Sequence, residues 1–148
     1  MKKGVDYIGV GVGAAIIKNG KILITKRGKK SKNEIGKWEI PGGSVEFGET
    51  FREALIREVK EALDIKIEVV ELLGICDHII LGEKQHWVSP TYLCKIKKGK
   101  PKIKEPEKCE EIGWFSLEEA SKLPLSIVTL FDIKALQKKF PKGLSNFK

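Results

Sequence analysis

Residues Gly43 to Ile65 read GSVEFGETFREALIREVKEALDI, and the spacing within this stretch constrains the fold more than any other part of the chain. Thr50 followed three residues later by Glu53 is a capping box, with side chains placed to satisfy the free amides of a helix start. No glycine or proline interrupts from Thr50 to Leu63, so the spacing predicts a helix over 50–63. On it Ala54, Glu58, Glu61 and Ala62 fall on neighbouring turns, and Glu58 and Glu61 project from one side. Just before it, Pro41-Gly42-Gly43 predicts a tight turn poor in side chains, where backbone can approach an ion or a phosphate.

Carboxylates gathered on one helix face repel one another unless a cation sits between them. A hard, oxygen-seeking ion such as Mg2+ suits them, because it keeps several waters and bridges to substrate phosphates. It polarises a phosphoryl oxygen and acidifies a bound water. An isolated E-x-x-E would be read as a solvated acidic face. The fixed spacing and the Pro-Gly-Gly upstream argue against that here.

The stretch resembles the Nudix box, G-x5-E-x7-R-E-U-x-E-E-x-G-U with U aliphatic. It matches at Gly43, Glu49, Arg57, Glu58, Val59, Glu61 and Ile65, and departs at Ala62 and Asp64. The resemblance implies a Nudix α/β/α sandwich, a mixed β-sheet between helices, and cleavage of a nucleoside diphosphate linked to a further group X. It implies Mg2+, with Mn2+ as an alternative, held by the Gly42 carbonyl and Glu58. Glu61 would bind metal or water, and Arg57 would orient Glu49 and the loop. These four side chains (Glu49, Arg57, Glu58 and Glu61) are the expected catalytic set.

Ala62 stands where many family members carry a metal-binding glutamate, and alanine cannot coordinate. Three readings stand side by side. The residue is an engineered disarming change; or the metal is held by Glu58, Glu61 and another carboxylate such as Glu46, Glu107, Glu110 or Glu111; or the chain binds nucleotides without cleaving them. Asp64, just past the helix, replaces a C-terminal glycine at modest cost.

The rest of the chain reads as one domain over residues 1–148. Strands are expected at Tyr7–Ile17 and Lys21–Thr25, joined by the hairpin signal Asn19-Gly20, and at Trp38–Ile40. Further strands are expected at Lys66–Asp77, His86–Lys97 and Glu110–Phe115. Ser116 and Glu119 form a second capping box for a short helix, and Ile127–Phe140 reads as a closing amphipathic helix. Segments Gly9–Arg27, Trp38–Gly43 and Glu107–Glu110 with Trp114 resemble the small MutT-type nucleoside-triphosphate pyrophosphohydrolases. That resemblance points to Arg27 facing phosphates, Trp38 lining the nucleoside pocket, and Phe131 stacking on a base with Asp132 at its edge. For Arg27, Trp38 and Phe131 the plainer alternatives are a surface cation and two core aromatics.

The formal net charge of +8 comes from 28 Lys and Arg against 20 Asp and Glu. Many of the lysines lie in tails and turns without interleaved aromatics, so the charge is read as attracting anionic nucleotides rather than polynucleotides. Abundant Lys and Glu, with sparse Asn, Gln, Met and Cys, lean towards a heat-adapted source. Three widely spaced cysteines, Cys76, Cys94 and Cys109, predict buried reduced thiols and a cytoplasmic protein. No apolar run is long enough for a membrane span, and no signal peptide is expected. A homodimer is compatible with these features. The functional expectation is therefore hydrolysis of a nucleoside triphosphate to monophosphate and pyrophosphate, slowed by Ala62. The alternatives are ADP-ribose or nucleotide-sugar hydrolysis, a non-catalytic nucleotide-binding domain and, more weakly, RNA-end recognition.

Overall fold

Asn19 and Gly20 both adopt positive φ, 52° and 75°, and so turn the first strand back on itself. In the computed structural model, which describes residues 1–147, this hairpin joins β1 (Gly9–Lys18) to β2 (Lys21–Arg27). There follow β3 (Trp38–Glu39), β4 (Gly42–Ser44), α1 (Phe51–Leu63), β5 (Lys66–Ile80), β6 (Gln85–Lys98), β7 (Cys109–Phe115), α2 (Leu117–Ser121) and α3 (Ile127–Lys139). Short 3-10 turns occupy Leu81–Glu83 and Leu144–Asn146.

The sheet is mixed. β1 runs parallel to β6 from Gly9↔Trp87 to Ile16↔Cys94, and β5 pairs antiparallel with β6 along its length. β2 pairs antiparallel with β3 and β7. Because side chains alternate along a strand, Ile16 and Ile17 enter opposite layers. Ile16 joins Leu55, Val59 and Leu63 of α1, whereas Ile17 joins Ile133 and Leu136 of α3 and Leu117 of α2. Two apolar cores on two faces of one sheet make an α/β/α sandwich, and each fully buried aliphatic side chain contributes about 1.5–3 kcal/mol.

Two local expectations change. Gly42–Ser44 is a strand rather than a free turn: it pairs with β1 through Gly11↔Ser44 and Gly13↔Gly42. The approach is so close that a Cβ on Gly42 would run into the Val12 carbonyl, which is why glycine stands there. The second change is in α3, which is not amphipathic in the expected sense. Leu130 and Phe131 are exposed while Asp132 and Thr129 are buried, because the inner face meets the polar residue Thr91 of β6 as well as the core.

Candidate active site

α1 begins as its capping box requires. Thr50 Oγ1 accepts from the Glu53 amide (3.2 Å), and Glu53 Oε1 accepts from the Thr50 amide (2.9 Å). It ends at Asp64, whose left-handed conformation (φ 55°, ψ 40°) is the one a glycine usually takes. The Asp64 carboxylate is held by Lys60 and Lys102, which lower its pKa to about 2. Both ends of the helix that carries the carboxylates are thus pinned.

Arg57 is the centre of the arrangement. Its Nε and Nη2 donate to the two oxygens of Glu49 at 2.6 and 2.8 Å, a bidentate pair. Nη2 also donates to the Ser44 carbonyl (3.2 Å), and Nη1 to Glu58 (3.1 Å) and Glu61 (3.4 Å). One guanidinium therefore ties β4 and the loop after it to α1. The hydrogen bonds from Arg57, followed by the Glu46 amide at 2.9 Å, lower the Glu49 pKa to about 2. Glu58 moves the other way: burial raises its pKa, Arg57 pulls it down, and the like charge of Glu61 raises it again.

Glu58 lies so close to Gly43 that a Cβ there would collide with its carboxylate. The glycine strand and the helix carboxylates thus meet at one wall of a cleft of about 410 Å3, of the size that takes a small molecule. Gly42, Glu58 and Glu61 all line it, and so does Ala62. No third acidic, imidazole or thiol side chain joins a metal-binding cluster among the described residues. Of the carboxylates that could have replaced a glutamate at 62, Glu46 pairs with Lys3, Glu107 with Lys30 and Glu110 with Lys26. The donors present are hard oxygens, two carboxylates and backbone carbonyls. That set fits Mg2+, which is commonly held by one or two carboxylates with water and phosphate oxygens completing its shell.

The opposite wall sorts the substrate-facing candidates. Arg27 lines the cleft, but its Nη1 pairs with Glu39 Oε1 at 2.5 Å and its Nε donates to the Asn33 carbonyl at 2.7 Å. Trp38 is buried edge-on to Phe115 with ring centroids 5.5 Å apart, in the core rather than along the cleft. Phe131 is 40% exposed and its ring lies near Gly74 of β5, also outside the cleft lining. Asp132 does line the cleft. It is 1% exposed; Oδ2 accepts from Thr91 Oγ1 at 2.8 Å, and Oδ1 has no partner. Burial pushes its pKa up to about 7, against the weaker pull of Thr91.

Among the cleft residues that escaped the sequence reading are Glu39, Thr91 and Lys32. Strand alternation carried a signal for the first, since Trp38 turned into the core sends Glu39 to the other side. Thr91 and Lys32 carried none, because their roles depend on partners far away in the chain.

A glycine strand and a capped, carboxylate-bearing helix meeting over a polar cleft define, with the layered sheet, a small α/β/α sandwich with its candidate site at the strand–helix junction. Within that class the chain belongs to the Nudix family, whose NUDIX domain model matches residues 8–136. It is 33% identical over 114 residues to the ADP-ribose pyrophosphatase of Methanocaldococcus jannaschii, a match covering 77% of this chain and 65% of that protein. It is 32% identical over 118 residues to the CTP pyrophosphohydrolase of Escherichia coli, covering 78% of this chain and 81% of the relative. The match to a further curated relative spans only 25% of that protein's length. Among solved structures, a MutT NUDIX hydrolase from Burkholderia pseudomallei superposes with a TM-score of 0.81 at 38% identity, over 88% of this chain and 99% of the other.

Proposed function

We propose that the chain is a magnesium-dependent pyrophosphohydrolase of nucleoside triphosphates, releasing monophosphate and pyrophosphate at a rate limited by Ala62. The observation that carries this reading is the convergence of Glu58, Glu61 and the Gly42–Ser44 strand at one wall of a nucleotide-sized cleft. Two relatives whose names state action on a nucleotide support it.

Glu58, Glu61 and the Gly42 carbonyl would hold the metal; Mn2+ has the same donor preferences. When bound, the ion neutralises phosphate charge and lowers the pKa of a coordinated water. The chain's own residues do the rest. Arg57 clamps Glu49 and the Ser44 carbonyl, so the wall does not move as the substrate binds. Glu61, the more exposed of the pair, accepts the proton of the attacking water at a carboxylate oxygen. One water is consumed: its oxygen bonds to one phosphorus, the bridging P–O bond breaks, and the proton passes to the pyrophosphate. Asp132 offers its unpartnered Oδ1 to the edge of the base, deep in the cleft. Arg27 acts through Glu39 and the Asn33 carbonyl, shaping the wall. Trp38 and Phe131 support the site from the core and from the sheet edge.

Ala62 removes one charge and one ligand from this cluster, and transition-state charge stabilisation dominates phosphoryl chemistry. The test is a panel of nucleoside triphosphates, ADP-ribose and nucleotide-sugars with Mg2+, run on this chain and on Ala62→Glu. The expected outcome is triphosphate cleavage by both, with Ala62→Glu faster by about a hundredfold. Preference for ADP-ribose would favour the reading drawn from the archaeal relative. Silence from both would leave a nucleotide-binding module.

A further inference from the structure

Five cations line the cleft: Arg27, Lys30, Lys32, Arg57 and Lys108. Arg27 is paired with Glu39, and Arg57 with Glu49, Glu58 and Glu61. Lys30 pairs with Glu107 (2.9 Å) and Lys108 with Glu105 (3.5 Å), both near the surface. Lys32 is different. Among the described residues it has no carboxylate within ion-pair reach; its Nζ donates to the Ser44 hydroxyl at 3.0 Å and stands 5.9 Å from the centre of the Trp87 ring. A hydroxyl and an aromatic face hold an ammonium in place without neutralising it.

The segment carrying Lys32 is bolted across the cleft. Gln85 Nε2 donates to the Lys32 carbonyl (3.0 Å), while Gln85 Oε1 accepts from Asn33 Nδ2 and from Trp87 Nε1, each at 2.8 Å. One residue further on, the Glu34 amide donates to Glu83 (2.7 Å), and Glu34 Oε2 accepts from the Ile127 amide at the start of α3 (3.0 Å). The arch over residues 28–37 is therefore fixed to β6, to the 81–83 turn and to α3 at once. It brings to Ser44, whose carbonyl is held by Arg57, the one cleft-lining cation that pairs with no carboxylate among the described residues.

We propose that Lys32 is the polyphosphate anchor of the cleft, binding the outer phosphates of the substrate at the end remote from Asp132. This rests on the pyrophosphohydrolase reading for the identity of the substrate, but not for the binding of phosphate. A fixed, unpaired ammonium loses little freedom when it meets an anion, which is how a prearranged charge gains affinity. A phosphate oxygen replaces the Ser44 hydroxyl as acceptor, and the contact becomes charge-assisted. Arg27, expected from the sequence to meet the phosphates, is unsuited to that task while Glu39 holds it; Lys32 takes it over.

The probe is inorganic tripolyphosphate with Mg2+, titrated calorimetrically into the unsubstituted protein, Lys32→Met, Lys32→Arg and Lys29→Met. Lys29 is an exposed lysine of the same arch outside the cleft lining, and controls for net charge. Lys32→Met is expected to weaken binding about tenfold or more, Lys32→Arg by less than about threefold, and Lys29→Met by less than about twofold. In nucleotide hydrolysis the same Lys32→Met loss should fall on KM and leave kcat within about threefold. Equal affinity of Lys32→Met and the unsubstituted chain overturns the proposal, as does failure of the unsubstituted chain to bind tripolyphosphate. Lys32-dependent tripolyphosphate binding by a chain that cleaves no nucleotide supports the anchor while removing the hydrolase reading. Triphosphate cleavage indifferent to Lys32→Met does the reverse.

Discussion

Asp132 shows how far one buried atom can shape a site. Its Oδ1 is unpartnered in a protein whose other buried polar side-chain atoms find partners among the described residues, and the residue lines the cleft. Its pKa of about 7, against an ordinary 3.8, has a definite consequence for stability. Between these values the folded chain holds a proton that the unfolded chain has lost, so stability falls as pH rises from about 4 to about 7. The nearest thiol, Cys76, is pushed up to about 11 by burial and then by the Asp132 charge, and stays neutral throughout this window. Asp132→Asn should flatten that fall: its Tm should change less between pH 4.5 and 7.5 than that of the unsubstituted chain, as thermal melts would show. A parallel pH dependence in both proteins would mean the carboxyl ionises as freely inside as outside. The sequence named Asp132 as a base contact but gave no reason for its burial, since the Thr91 hydroxyl that receives it lies 41 residues away.

At the scale of elements, neighbouring glycines of β4 carry different burdens. A Cβ on Gly42 meets backbone, the Val12 carbonyl, and cannot be accommodated without parting β4 from β1. A Cβ on Gly43 meets the Glu58 carboxylate, the free end of a flexible side chain that can swing aside. Gly42→Ala should therefore lose about 2 kcal/mol or more in chemical denaturation. Gly43→Ala should stay within about 1 kcal/mol of the unsubstituted chain yet lose about a hundredfold in kcat, because Glu58 is displaced from the cleft wall. Equal stability losses in the two variants would show that Glu58 is no freer to move than backbone. The capping boxes, the hairpin and the loop–helix spacing were legible because each depends on residues within a few positions of one another. β4 was not, since Pro-Gly-Gly reads as a turn until β1 is seen beside it. The reversal in α3, Phe131 outside and Asp132 inside, was equally hidden. An apolar residue in a helix is ordinarily core, and only the polar threonine of β6 makes the carboxyl the better inner neighbour. Trp38 followed the plainer of its two readings, packed on Phe115 of the adjoining β7.

For the whole molecule, the dominant fact is a net charge of +8 on a chain whose cleft is walled partly by carboxylates. The helix carboxylates alone would repel a triphosphate. On the proposed reading, the field of the surrounding lysines, Lys32 of the cleft lining among them, would draw it in. Exposed charges act through solvent and are screened over a Debye length of about 10 Å at 0.1 M salt, whereas Arg57 and Glu49 bond directly and are screened far less. The two contributions therefore separate by ionic strength. Raising salt from about 20 to about 300 mM should increase KM for a nucleoside triphosphate several-fold, while kcat stays within about twofold. Steady-state kinetics at fixed free Mg2+ checks this, with Lys32→Met run alongside; part of the salt effect should disappear with that charge. A kcat that fell in step with rising salt would place the screened charges in the chemical step itself, and the division between a steering surface and a clamped catalytic wall would fail.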